Sequence, residues 1–384
     1  MNNDLYVDGF ADNNGTCLYM KKSIKNGISE NHFRLFRNLY FSSIGLGTYL
    51  GNLDNKDDAD MQNAVYESVK SGAINVIDTA INYRAMRSEK SIGKAIEKLI
   101  KDGIISRNEI FISTKNGYIT NDGEYPAIDI LEYIQKMYIT PGIIKKEDIS
   151  SGYNVMNPNY ISRCIEKSLA NMKINTIDLV YIHNAYESWY NDVSKDEFIE
   201  MLKKVFETYE KYRSKNKIRF YGMATWTCFR VMSESKEYLS LEEVIKIAKE
   251  IGGENHGFRF IQLPYNIAYS EALFLKNQSV EDCKNMTILE AAKKLNIGVF
   301  SSVPLLQGKL LDIDIPNYDY RIEQNQILKL LQIVRSSPSI IAPLIGQKKI
   351  DHVDQNAEIS KISPLTEDEF NDAINILRSQ SINK

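Results

Sequence analysis

Cysteine is scarce: four in 384 residues, at Cys17, Cys164, Cys228 and Cys283, far apart and never as C-x-x-C. That spacing suggests neither a zinc site nor a disulfide framework, and a reducing compartment fits it best. An excess of one charge is missing too. The 47 Lys and Arg stand against 50 Asp and Glu, a net of −3, so no global cationic field attracts a phosphate backbone and nucleic acid is not an expected partner. No run of about 18 apolar residues occurs, which leaves no helical membrane span and no expected membrane partner. The N-terminal MNNDLYVDGFADNNG is polar and acidic where a secretory leader needs a positive start and an apolar stretch, so a cytoplasmic protein is expected. The four histidines, His32, His183, His256 and His352, show no H-x-x-x-H or H-x-H spacing and none is near a cysteine in sequence, so no metal site is expected. A G-x-S-x-G nucleophile elbow is absent, as are low-complexity tracts and fixed-period repeats.

What is present is enough apolar material for a packed core: 43% hydrophobic residues beside 25% charged ones. Dividing the length by ~150 residues per domain suggests two or three domains, yet α/β barrels hold about 250 to more than 400 residues around one core. Short β-branched runs alternate with segments of helical period at 42–49, 73–80, 109–115, 177–183, 219–225, 258–265, 297–304 and 340–346. Most are too apolar for one face to be wetted, as a parallel sheet covered by helices requires. The pattern predicts a single (β/α)8 TIM barrel over 42–384. Asn157-Pro158 reads as an N-cap followed by proline at the first helical position, and Ile322, Ile327, Leu330, Leu331 and Val334 predict a helix over 322–335. Residues 1–41 form an N-terminal extension in which TCLYM and FRLFRNLYF suggest a hairpin closing the barrel bottom. Residues 116–157 are an insertion, too long for an ordinary connection, which its aromatics mark as an ordered lid.

In an α/β barrel the chemistry sits at the C-terminal strand ends and the loops that follow. There the second strand offers Asp78, with Tyr83 five residues on, the third Lys115 and the fourth His183. Singly, each has an ordinary structural role open to it. Jointly they bind and protonate a carbonyl oxygen: the ammonium stabilises a tyrosinate, the carboxylate keeps the ammonium charged, and the imidazole supplies a directional hydrogen bond. Arg84 and Arg87 either meet an anionic substrate or pair with Glu89 or loop acids.

At these residues the chain resembles the aldo-keto reductase family. VIDTAINYRAMRSEKSIGKAI is similar to the family's Asp-Thr-Ala…Tyr…Ser-Glu…Gly segment, EIFISTK to its lysine strand, and SLANMKINTIDLVYIH to the helix and strand that deliver its histidine. The resemblance implies that Asp78, Tyr83, Lys115 and His183 are the catalytic tetrad of an oxidoreductase reducing an aldehyde or ketone, with a small-molecule carbonyl as partner and Tyr83 as general acid. It also implies NADP(H) as cofactor, with NAD(H) not excluded, bound without a Rossmann domain; no G-x-G-x-x-G stands at a strand–helix turn. The matching positions are Gly47 and Thr48 in the first loop, Thr225 after the fifth strand, Gln262 for the nicotinamide amide, Pro304, Leu305 and Gln307 over the pyrophosphate, and Gly346, Gln347, Lys348, Gln355 and Asn356 around the adenosine, where Lys348 and Lys349 are cations suited to a 2′-phosphate. Three positions depart from the family: Ala224-Thr225 where Ser-Asn is common, Ser302 where an aromatic often stacks on the nicotinamide, and His352 where an arginine is common. The alternative implied is a catalytically weak, cofactor-binding barrel serving as a redox sensor or regulatory subunit. Tyr138, Tyr153, Tyr186, Trp189 and Trp226 are candidate substrate walls.

Overall fold

The computed structural model describes residues 6–123, 129–322 and 325–381. Strands β1 (Phe33–Phe36) and β2 (Leu39–Ser42) form an antiparallel hairpin, turned by Arg37 and Asn38 with φ of +50° and +59°. Both turn residues in the left-handed region give a two-residue hairpin the twist its strands need. Among the described residues, eight parallel strands then close the barrel: β3 (Gly45–Gly47), β4 (Val76–Asp78), β5 (Phe111–Asn116), β6 (Ile177–His183), β7 (Ile218–Ala224), β8 (Phe258–Pro264), and, after a small hairpin β9 (Gln278–Val280) and β10 (Cys283–Met286), β11 (Gly298–Ser302) and β12 (Ile340–Gly346). Leu344 pairs with Gly45 to close the ring. The (β/α)8 barrel expected from the alternation is the fold found.

Helices follow the barrel strands on the outside, from Asn55–Lys70 after β3 to Ile350–Ala357 after β12. Their starts are written in the sequence. Asp54 accepts from the Asp57 N–H at 2.7 Å, Asn157 caps Pro158–Met172 with the proline at its first turn, and Ser194 and Thr287 head full capping boxes. The helix expected at 322–335 begins instead at Gln326, where Asn325 accepts from Leu328 N–H. Strand glycines mark close approach: a Cβ on Gly222 would stand 1.9 Å from the Phe260 carbonyl oxygen.

The core divides by height. Toward the N-terminal strand ends the interior is aromatic, and Phe41 of β2 meets Phe111, Phe260 and Phe300 with ring centroids 5.0, 6.1 and 6.0 Å away. Each such buried ring stabilises by roughly 1.5–3 kcal/mol. In the N-terminal extension TCLYM is not a strand: it lies in the helix Asn13–Lys25, which Asp12 caps, and the hairpin is folded from FRLFRNLYF alone. Tyr19 decides that packing, its hydroxyl lying 2.7 and 2.8 Å from the Val69 and Ile74 carbonyls.

The insertion closes on its own neck, where Val155 N–H donates to the Gly117 carbonyl and Ile119 N–H to that of Tyr153. Ile119, Tyr133, Ile134, Tyr138, Ile144 and Val155 then pack with Ile81, Met86 and, on the helix Pro158–Met172, Tyr160 and Cys164. The described part of the insertion therefore covers the helical layer beside β4 and β5.

Candidate active site

Asp78, Lys115 and His183 stand at the last or next-to-last positions of β4, β5 and β6, three neighbouring strands, so their side chains share the C-terminal mouth. Lys115 is fully buried, and its ammonium lies 2.5 Å from Asp78 Oδ2, 2.9 Å from the Thr79 carbonyl and 3.0 Å from Tyr83 Oη. An ammonium has three donors, and all three are used. Tyr83 Oη thereby accepts from Lys115 and keeps its own O–H to donate. The other carboxylate oxygen of Asp78 accepts from Ser113 Oγ at 2.7 Å and Gln262 Nε2 at 3.0 Å, and Thr48 Oγ1 donates to the Asp78 carbonyl at 3.1 Å. The carboxylate is fixed on both sides.

Electrostatics follow from that geometry. Burial works against the Lys115 ammonium, but Asp78 and then Tyr83 outweigh it, so the lysine pKa lies above its usual value. Burial likewise pushes the Tyr83 phenol above its usual value, with Lys115 pulling it back. His183 is held well below the usual histidine range, first by burial and then by Lys115, so its imidazole is neutral at physiological pH. A neutral ring retains one N–H to offer a carbonyl oxygen. The His183 ring meets the Tyr118 ring edge-on at 4.9 Å and the Tyr83 ring at 6.0 Å.

A cavity of about 630 Å³ opens over these residues. One end is walled by Tyr49, Leu50, Asn82, Tyr83, Tyr118, His183, Asn184 and Trp226; it continues past Gln262, Ser302, Pro304, Leu305 and Gln307 to Gly346, His352, Gln355 and Asn356. Gly47, Thr48 and Thr225 also line it. Two of the residues matched to cofactor positions stand apart from the lining. Gln347 is buried, donating to Ser68 Oγ and accepting from Asn356 Nδ2, each at 2.8 Å. Lys348 forms an ion pair with Asp57 at 2.7 Å. Ten of the matched positions thus border one continuous groove, while Gln347 supports it from behind through Asn356.

The expected substrate walls need correction. Trp226 lines the cavity, but Tyr138 packs on Tyr160, Tyr186 on Phe198, Trp189 donates to Asn154, and Tyr153 points to solvent. Of the insertion's described residues Tyr118 alone borders the cavity, while Tyr133, Ile134, Tyr138 and Ile144 pack on the helical layer. Arg84 and Arg87 pair with Asp58, whereas Glu89 accepts from Thr114 and Asn171. Tyr49, Asn82, Tyr118 and Asn184 escaped sequence reading. Asn82 and Asn184 adjoin Tyr83 and His183 in the chain, which was the available signal.

A match to the Aldo/keto reductase family spans residues 43–328. The chain belongs to the aldo/keto reductase family. It is an oxidoreductase, 21% identical over 358 residues to the uncharacterized oxidoreductase YqkF of Bacillus subtilis, covering 86% of this chain and 91% of that protein. It is 26% identical over 140 residues to the NADPH-dependent aldose reductase GRE3 of Saccharomyces cerevisiae, a match covering 36% of this chain and 29% of that one. The barrel superposes on an aldo/keto reductase of Klebsiella pneumoniae, solved in complex with NADP and acetate, with a TM-score of 0.58 at 19% identity, covering 90% of this chain and 95% of the other. A holo aldo-keto reductase of Bacillus halodurans gives the same TM-score at 18% identity, with 90% and 96% covered. Among the described residues no helix of this aldo/keto reductase is long and apolar enough to cross a membrane.

Proposed function

We propose that this aldo/keto reductase reduces a small aldehyde or ketone by hydride transfer from NADPH, with Tyr83 donating the proton. The observation that carries the proposal is the chain of contacts Asp78–Lys115–Tyr83, 2.5 and 3.0 Å long, ending at a cavity that His183 also faces. The groove fits an extended dinucleotide: it runs from the tetrad past Gln262 and the 302–308 loop to Gln355 and Asn356, and among the described residues no Lys or Arg side chain lines it. Thr225, Gln262 and Ser302 would hold the nicotinamide end, Pro304, Leu305 and Gln307 the middle, and Gly346, Gln355 and Asn356 the adenosine end, with Lys348 exchanging Asp57 for a 2′-phosphate. When bound, the cofactor supplies the hydride.

The chain's own residues do the rest. His183, neutral, donates a hydrogen bond to the carbonyl oxygen and orients it. Tyr83, neutral because burial keeps its proton on, donates to the same oxygen as negative charge develops there. Lys115 stabilises the tyrosinate that results, and Asp78 keeps Lys115 charged. Tyr49, Tyr118 and Trp226 wall the substrate end without a free charge, which suits an uncharged carbonyl compound.

Tyr83→Phe tests the role of the hydroxyl. Cofactor titration by fluorescence should be unchanged while turnover of an aldehyde panel falls by about 100-fold or more. Turnover at the wild-type rate would remove Tyr83 as the acid. Wild-type protein that binds NADPH yet reduces no member of a broad panel would instead favour a regulatory, cofactor-sensing role.

A further inference from the structure

Directly after Tyr83 the backbone does something costly. Arg84, Ala85 and Met86, none of them glycine, take φ of +50°, +49° and +69° before the helix Arg87–Lys101 begins. Consecutive left-handed residues persist only where the surroundings hold them. Here the holding groups are two arginines and one carboxylate. Arg84 Nε and Nη2 donate to the Asn52 carbonyl at 2.9 and 2.7 Å, and Nη2 also donates to Asp58 Oδ1 at 2.6 Å. Arg87 donates to Asp58 Oδ2 at 2.6 Å, to Asn55 Oδ1 at 2.8 Å and to the Gly123 carbonyl at 3.0 Å. Gly123 N–H returns a bond to the Ala85 carbonyl at 2.8 Å. The arginine side chains are only 1% and 10% exposed, so Asp58 is the shared counter-charge of two nearly buried cations at the two ends of the turn.

The same contacts tie together three segments. Arg84 fastens the 49–54 loop, which carries Tyr49, and the Tyr49 ring meets the Tyr83 ring edge-on at 5.0 Å. Arg87 fastens the root of the insertion at Gly123. We propose that Asp58 is a positioning residue, holding Tyr83 and the Tyr49 wall through Arg84 and Arg87, and that the insertion braces the same turn through Gly123. The inference rests on Tyr83 being the proton donor. Without the Asp58 charge, two desolvated cations lose their common partner, and the left-handed turn keeps only its contacts to Asn52, Asn55 and Gly123. Tyr83 then shifts away from the carbonyl.

Asp58→Asn keeps size and removes charge. In the full-length protein its kcat for aldehyde reduction should fall about 10- to 100-fold, with the Kd for NADPH unchanged and a folded thermal transition. Arg87→Lys keeps the charge but cannot make the forked contacts, and should show the same loss. Gly123→Ala approaches from the insertion side with every charge intact, since its Cβ would stand 3.0 Å from the Ala85 oxygen and 3.1 Å from Arg87 Cγ and Cδ; it should also lower kcat more than it alters KM. Lys136→Ala, on the exposed face of the insertion, is the control that stays at wild type. Folded Asp58→Asn with wild-type kcat, or a loss of activity matched only by loss of folded protein, overturns the proposal. If Asp58→Asn does not fold, wild-type kcat in Gly123→Ala overturns it alone. Active Tyr83→Phe sinks the acid assignment itself, whereas inactive Tyr83→Phe beside fully active Asp58→Asn sinks only the clamp.

Discussion

At Tyr83 burial and the neighbouring ammonium oppose each other, and burial prevails. The sequence pairs the tyrosine with a lysine and so suggests a lowered pKa; only the packed surroundings reveal the larger, contrary effect. A raised pKa keeps the phenol protonated through neutral pH, so kcat for reduction should stay level there and decline only in the alkaline range, where the acid form is lost. A rate falling already between pH 6 and 8 would contradict it. Away from the site His32 couples stability to pH, adding to the like effect of the depressed His183 and His256. His32 is fully buried beside Arg335, its Nε2 2.8 Å from the Ala73 carbonyl and Nδ1 2.9 Å from Ser43 Oγ, and burial and then Arg335 depress its pKa from 6.5 to about 3. The unfolded chain therefore binds the extra proton first: the stability is fully present above about pH 6.5 and is lost as pH falls toward about 3. Urea unfolding of the wild type should weaken across that window, by up to about 1.4 kcal/mol per pH unit from this group. His32→Gln should reduce the slope by the His32 share while His183 and His256 keep theirs, and an unaltered slope would remove His32 as a contributor. The candidate residues Asp78, Lys115 and His183 were legible because they sit at strand ends in chain order, with Tyr83 in the turn after β4. Tyr118 was not, because nothing local tells a cavity-facing tyrosine from the many others.

Among the elements, the N-terminal extension parts company with simple expectation, since TCLYM is helical. Helix caps and strand runs depend on neighbours a few residues away, so Asn157-Pro158 declared its helix in the sequence. TCLYM did not, since a five-residue apolar run suits a strand and a helix alike until Tyr19 finds its carbonyl partners 50 and 55 residues downstream. Phe41 shows what the hairpin contributes. Phe41→Ala would empty the centre of the aromatic layer between Phe111, Phe260 and Phe300, and should cost about 3–5 kcal/mol in chemical denaturation. A loss under about 1 kcal/mol would mean that the layer collapses around the gap. Among the insertion's described residues, Tyr133 and Tyr138 pack in the cluster around Tyr160, while Tyr118 borders the cavity.

Over the whole molecule, closure of the barrel gives each end its own task. Aromatic side chains fill the N-terminal strand ends, and polar ones occupy the C-terminal ends beside an elongated cavity. Parallel neighbours β4, β5 and β6 bring Asp78, Lys115 and His183 together without any of them being near in sequence. By itself the sequence determined the barrel, through alternating apolar runs, and marked Asp78, Tyr83, Lys115 and His183 as candidates at the mouth, because strand ends and the loops after them in this fold share one face. Only the tertiary structure decided which tyrosines line the cavity, that Lys348 is paired with Asp57, and that Asp58 holds the left-handed turn behind Tyr83. Such matters depend on contacts between segments far apart in the chain, and local pattern carries no record of them.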